Sequence, residues 1–342
     1  KYNPDLLVCI PNYIGTIDDL LLSNEIATGL KVNNDYFFPF NNYSCFNTVP
    51  DELAGTEALL ISNPNRNLKN FNSTKIKLPI LEADKNTCLD KISLDISKLQ
   101  ENITILKESN ISGYFRENYY SPILYSSDYY MDDSKKYDIN YKEVNKTFGN
   151  KEYLEEKKRK INSLQEQNIK QQKEYFEESL KDDFSLVSFD NFTLKQKGRD
   201  DSTSNLIFSE TFTVNDLLSK AGNNYIFQVG KLIGRQLSLD DNDSLRTIDI
   251  FQAYPRTIEN TVQVTLPQNI SVEGINTLNT HIDNESCSFI STAQKEGNLL
   301  TIHTTKTFKK IYDQSSKWRN YYEALKAASS FTQKKIILSL NK

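Results

Sequence analysis

Histidine is the scarcest of the chemically versatile residues here, and its scarcity excludes much. Only His281 and His303 are present. Neither stands at a ligand spacing from a cysteine or a second histidine, so neither a metal centre nor any other cofactor is read from the chain. Cysteine is sparse as well. Cys9, Cys45, Cys88 and Cys287 lie far apart with no Cys-x-x-Cys pair. No apolar run approaches the roughly 18 residues of a membrane-spanning helix, so no transmembrane segment is expected. A net charge of −4, with no stripe of basic residues interleaved with aromatics, sets nucleic-acid binding aside. An initiator methionine and a charged-then-apolar leader are missing too. The first residues look like a strand entered midway through a domain, so the chain is read as a fragment whose signal peptide, if any, lies upstream.

The residues that are present describe a folded, strand-rich protein. At 342 residues the chain can bury two or three cores. Hydrophobic residues at 38% and charged residues at 25% suit globular material. The 19 Tyr and 18 Phe favour half-buried sheet surfaces, so the expected class is α+β, mostly β.

Taken in order, residues 26–32 and 36–40 flank Asn33-Asn34-Asp35 as a β-hairpin, because Asn and Asp tolerate the positive φ of a tight turn. Residues 57–61 follow as a third strand, and the Asn-rich stretch 62–73 as a surface loop. Strands are expected at 75–83, 91–97, 102–107 and 112–120, in the sequence of an antiparallel meander; the alternation of Ile92, Leu94 and Ile96, then of Ile103 and Ile105, carries this. Residues 151–180 lack Gly and Pro. Leu154, Ile161, Leu164, Ile169, Phe176 and Leu180 give them a thin apolar stripe at helical spacing. The stripe is too narrow for a zipper and fits a solvated helix resting one edge on a sheet.

Further strands are expected at 184–194, 206–214 and 225–229, with a short helix at 214–220. The last block holds strands at 261–266, 270–275, 286–293, 299–305 and 334–340, and one helix at 313–329. Asp313 is the expected cap of that helix; Trp318, Tyr321, Tyr322, Leu325 and Ala328 share its apolar face.

Candidate sites are few. The acidic stretch 238–244 lacks the Gly and the terminal Glu of a calcium loop. His303 alternates with Ile302 and Thr304 on a strand and reads as structural. Asp18-Asp19 and Asp132-Asp133 read as solvated loop carboxylates, and Trp318 as core. Cys9 and Cys45 both belong to the N-terminal β region and can pair in an oxidising compartment; buried free thiols are the alternative. The Tyr-rich stretch 114–141 offers a contact surface, or else packs against the long helix.

Two stretches carry a family resemblance. The stretch from Leu20 to Ile61, aligned on NNDYFF, resembles the second half of a bacterial transglutaminase-like (papain-like) domain. There, the family has an Asn-His pair at the start of one strand and an Asp closing the next. Here Asn24-Glu25 and Phe38-Pro39 stand in those places. The second stretch runs from Arg246, Asp249, Pro255 and Arg256 through TVQVTLP, GNLLTI and WRNYYEAL to KKIIL. It resembles the C-terminal β-domain of the same proteins. The resemblance implies a partial transglutaminase-like domain at 1–74, a β-rich middle domain at 75–246 holding the long helix, and a C-terminal β-domain at 247–342. With Glu25 and Pro39 as degenerate catalytic positions, it implies a non-catalytic structural or interaction protein, a pseudo-transglutaminase with protein partners in an envelope complex. Such proteins are exported by Gram-negative bacteria to the periplasm or outer-membrane surface, with any lipid anchor upstream. The other implied function is the C-terminal part of a cysteine protease or acyltransferase whose nucleophile precedes residue 1.

Overall fold

The computed structural model describes residues 4–22, 25–39, 47–62, 71–125, 136, 151–199 and 204–340. Strands β1 (Asp5–Cys9), β2 (Ala27–Val32), β3 (Asp35–Phe37), β4 (Glu57–Ser62) and β5 (Asn72–Lys77) form an antiparallel sheet in the order β3-β2-β1-β4-β5. The expected hairpin is β2–β3, and Asn33 supplies its positive φ of 57°. Leu7, Cys9, Ala27, Phe38, Leu53, Ala58 and Leu78 make a small core of their own. Strand β5 stops short of the expected 75–83. Leu78 turns inward and its N–H donates to Thr56 O at 2.8 Å, and Pro79 has no N–H with which to continue a ladder. The loop read at 62–73 falls mostly outside the described residues.

The next elements are β6 (Thr87–Asp95), β7 (Ile103–Ile111), α1 (Phe115–Ile123), α2 (Lys151–Asp183), β8 (Leu186–Lys197) and β9 (Leu206–Val214). Then come β10 (Leu218–Ala221), β11 (Asn224–Phe227), β12 (Ile250–Phe251), β13 (Arg256–Thr265), β14 (Ile270–Glu273) and β15 (Thr280–Asp283). The chain closes with β16 (Cys287–Glu296), β17 (Leu299–Phe308), β18 (Tyr312–Asp313), α3 (Trp318–Thr332) and β19 (Ile336–Leu340). Eight of these strands build one large sheet in the order β15-β16-β17-β13-β6-β7-β9-β8. Every neighbouring pair in it is antiparallel except β13 with β6, which run parallel. The sheet therefore runs across residue 247, taking strands from both sides. A second sheet, β10-β11-β19-β14, and the short pair β12-β18 complete a fold that is α+β and mostly β.

Alternation explains the large sheet. Ile103 and Ile105 on β7, and Phe208 and Phe212 on β9, present one apolar face, while their sequence neighbours point away from it. Helix α3 lays Tyr321, Ala324, Leu325, Ala328 and Phe331 against β16, at the spacing of one helical face. Among the described side chains, helix α2 buries apolar residues against the sheet near its end. Phe176 and Leu180 are buried, whereas Leu164 and Ile169 are exposed. The side chains of Leu154 and Ile161 lie outside the described residues.

Four local expectations are corrected. Residues 112–120 turn into α1 rather than a strand, with Phe115, Arg116, Tyr120 and Ile123 buried at helical spacing. The Tyr-rich stretch is thereby drawn inward. Tyr114 and Tyr120 are core residues, Tyr114 meeting Tyr254 at a tilt of 51° with centroids 5.2 Å apart. Residues 214–220 hold no helix; they lead into a hairpin of β10 and β11 around Gly222 at φ +64°. Asp313 does not cap α3. Its buried carboxylate accepts from Tyr321 Oη at 2.9 Å and from Lys310 Nζ at 3.2 Å. Trp318 opens α3 half-buried, packed against the edge of the core and on Tyr321 rather than fully within it. Its indole N–H donates to Asp243 O at 2.6 Å, and the Arg246 guanidinium lies 5.1 Å from the ring centre.

Candidate functional site

Of the residues singled out for a thiol site, Glu25 and Pro39 flank the β2–β3 hairpin of the N-terminal sheet. Glu25 precedes β2 and is exposed; its Oε2 accepts the Tyr13 hydroxyl at 2.9 Å. Pro39 follows β3 and is exposed. Cys45 lies outside the described residues, as do Asn24 and Asp132-Asp133. Cys9 is a buried free thiol on β1, so the Cys9–Cys45 pairing has only one described partner. Burial pushes the thiols of Cys9, Cys88 and Cys287 up to about 12. The polar contact of Cys88 Sγ is Tyr119 Oη at 4.0 Å, and Cys287 Sγ donates to Asn320 O at 3.3 Å.

The two histidines serve the sheet surface. His303 on β17 is exposed beside Thr261, whose Oγ1 is 3.1 Å from Nδ1; His281 sits on the edge strand β15 opposite Ile290. Among the described residues no group of three His, Cys, Asp or Glu side chains can hold a metal. In the acidic stretch, Asp240 Oδ1 accepts the backbone N–H of Asn242 at 2.7 Å and of Asp243 at 3.3 Å, so that carboxylate closes its own turn. Asp19 Oδ2 likewise accepts the Thr16 N–H at 2.8 Å, and Asp18 pairs with Lys75.

A cluster that sequence reasoning missed lies on the buried face of the large sheet. Cross-strand register places Ser291 opposite Thr304, Thr304 opposite Asn260, Asn260 opposite Asp90, and Asp90 opposite Ser109. One step along β7, Lys107 stands opposite Glu210. The result is a polar band crossing six strands inside an apolar core. Asn260 Nδ2 donates to Thr304 Oγ1 at 3.1 Å, Ser109 Oγ to Asp90 Oδ1 at 2.7 Å, and Ser291 Oγ to Leu278 O at 2.6 Å. Lys107 Nζ lies 3.2 Å from Asp90 and 3.9 Å from Glu210. Burial pushes Glu210 up to about 7 against the attraction of Lys107. Burial also opposes the charge on Lys107, yet Asp90 and Glu210 hold it well above the ordinary lysine value. The cavity beside this cluster, bounded by Leu180, Leu232 and Ile233, holds only about 50 Å³. Ligand pockets run to several hundred Å³, so this cavity is too small to hold a substrate, and the polar groups of the band are met largely by one another across the strands.

Larger hollows open at the surface, one of about 450 Å³ beside Leu218 and Tyr225 and two lined by aromatic residues of the helices and the large sheet. One of these two, of about 550 Å³, runs between α2 and β8 past Ile169, Gln172 and Phe192. The other, of about 410 Å³, lies between β13, β17 and the start of α3; Arg246, Arg256, Lys306, Phe308, Trp318 and Tyr321 line it.

No helix among the described residues is long and apolar enough to cross a membrane. Comparison with curated proteins and with solved structures gives no match. A family model described as a domain of unknown function with solved-structure structure, DUF3858, matches residues 224–338. That segment, from β11 to β19, contains the whole lining of the 410 Å³ pocket and is similar to this β-rich domain of unknown function.

Proposed function

We propose that the chain is a non-catalytic structural or interaction protein of the cell envelope, built on a degenerate transglutaminase-like scaffold. It acts at the periplasm or outer-membrane surface by binding protein partners. The observation that carries this reading is Glu25. It occupies the place where the resemblance calls for the catalytic histidine, and its carboxylate is engaged by Tyr13 on an exposed surface. Thiol acyl transfer needs an imidazole that deprotonates the sulfur and then protonates the leaving group. An ionised carboxylate beside a thiol disfavours the thiolate instead. The buried state of Cys9, Cys88 and Cys287, with thiols pushed to about 12, agrees with this: at neutral pH they are protonated and poor nucleophiles.

The test is labelling of the folded protein with a thiol-directed acyl probe at neutral pH, read by mass spectrometry. Cys9, Cys88 and Cys287 should stay unmodified until denaturant is added. Stoichiometric acylation of the native protein, abolished by a single Cys→Ala change at any of the four cysteines, would overturn the reading. Cell fractionation tests the location: recovery in the cytosolic fraction alone would remove the envelope assignment.

A further inference from the structure

The C-terminal part of the fold treats its basic residues in two ways. Around α3 and the neighbouring loops, cations meet carboxylates: Lys309 with Asp283, Lys310 with Asp313, Lys317 with Glu285, Arg319 with Glu323, and Lys326 with Asp241. Arg246, Arg256 and Lys306, which share one pocket, have no carboxylate within ion-pair distance among the described residues.

The geometry of these three is that of prepared donors. Arg256 and Lys306 stand on the adjacent strands β13 and β17, where Lys306 faces Ile258 and Arg256 faces Phe308. The Arg256 guanidinium lies 4.4 Å from the centre of the Phe308 ring and spends one contact on Tyr254 O at 3.3 Å, leaving most of its N–H fork uncommitted. Lys306 Nζ meets only a neutral acceptor, Gln236 Oε1, at 2.5 Å. Arg246 lies over Trp318 and donates to the carbonyls of Ile248 and Asp249, the second contact a long 3.4 Å. Cation–π contact with these rings holds each guanidinium over an aromatic face. Both Arg256 and Lys306 are half-buried and their charged forms are disfavoured; burial and the proximity of Arg256 bring Lys306 down to about 8. Crowding two poorly solvated cations together without a counter-charge is costly in a protein built only for stability.

We propose that this pocket is a binding site for a phosphate monoester whose ester group is aromatic or apolar. Three positive charges converge there, so a monocarboxylate would leave two uncompensated, whereas a phosphate dianion offers three acceptor oxygens to two forks and one ammonium. The exposed side chains of Phe251 and Leu237, with the rim of Trp318, provide an apolar wall for the ester group, and about 410 Å³ suits a small organic molecule. The site lies within the segment similar to the domain of unknown function and does not depend on the state of the thiol remnant.

Calorimetric titration of the full chain with phenyl phosphate, inorganic phosphate and benzoate tests this. Saturable one-to-one binding of phenyl phosphate is expected, about tenfold tighter than either of the other two. Lys306→Met and Arg256→Met should each weaken it by about tenfold or more. Arg256 also packs on Phe308, so Lys306→Met is the safer probe: losing an unpaired half-buried ammonium, it should keep or raise the wild-type Tm while losing affinity. Cosedimentation with phosphatidic acid vesicles, lost in Lys306→Met, would assign the phosphate to a lipid; no cosedimentation would assign it to a soluble ester. The proposal is overturned if phenyl phosphate gives no saturable binding at millimolar concentration, if benzoate binds as tightly, or if Lys306→Met binds like wild type.

Discussion

Asn86 occupies the space that a side chain on Gly113 would need. Gly113 has φ +61°, and a Cβ built there would collide with Asn86 Oδ1 and with Lys85 O. The close approach lets Asn86 Oδ1 accept the Tyr114 N–H at 3.0 Å while its amide donates to Leu81 O at 3.0 Å and Pro255 O at 2.9 Å. One fully buried side chain thus joins the lead-in to β6, the start of α1 and the lead-in to β13. Asn86→Ala would leave a buried N–H and two carbonyls unpaired, a loss of about 3 kcal/mol. Gly113→Ala is strained by its φ as well as by the clash, and should lose a comparable amount. Urea denaturation checks both, and a midpoint within error of wild type for either variant would show that the lock is dispensable.

Stability should fall as pH rises from 5 to 8. Glu210 binds its proton up to about 7 in the folded state, whereas an unfolded Glu releases it near 4.3. Between those values the folded chain holds the extra proton. The associated stability is fully present below the unfolded value and gone above the folded one. For Glu210 the change is about 3 kcal/mol at most. Glu117, also pushed up to about 7 by burial and by the nearby Asp51 and Glu52, adds to the same slope. Glu210→Gln should flatten the dependence of ΔG on pH without abolishing it. An unchanged slope in denaturant titrations at pH 5 and 8 would exclude Glu210 as a source.

The long helix α2 should be stabilised from one end only. Phe176 is 4% exposed and packs against Phe192 at 4.7 Å and Phe208 at 5.5 Å, whereas Ile169 is 66% exposed. Phe176→Ala is expected to cost about 3–5 kcal/mol, and Ile169→Ser to stay within about 0.5 kcal/mol. Equal effects in thermal melts would mean that Ile169 meets a partner surface.

The strands were legible where alternation was clean. Ile92, Leu94 and Ile96, then Ile103 and Ile105, announce β6 and β7, and the Asn33 turn announces its hairpin. Residues 112–120 misled because aromatic residues in a short window satisfy both periods, and the deciding contact, Asn86, comes from 28 positions away. The polar band was in principle readable. Asp90, Lys107 and Glu210 each fall in phase with the apolar residues of their own strand, a charge where the pattern asks for a core residue. What one strand cannot disclose is that the three lie side by side, because cross-strand register is set by tertiary packing. The cationic pocket was half visible: Arg246 and Arg256 stood out within the resemblance, but Lys306 and Trp318 join them only through the pairing of β13 with β17 and the seating of α3.

The parallel pairing of β13 with β6 has a consequence for synthesis on the ribosome. Thr87 and Thr257 are register partners 170 positions apart. At about 5–20 residues per second, β6 emerges roughly 10–30 s before the strand that will cover its outer edge. Its other neighbour, β7, follows almost at once, and β8 and β9 can dock on that side while β6 still ends in open N–H and C=O groups. Ile92 and Leu94 on that strand are core residues in the finished protein. A nascent chain in this condition offers an apolar, unpaired strand to its neighbours on a polysome, so its yield in a cell depends on the rate of elongation and on chaperones that shield such edges.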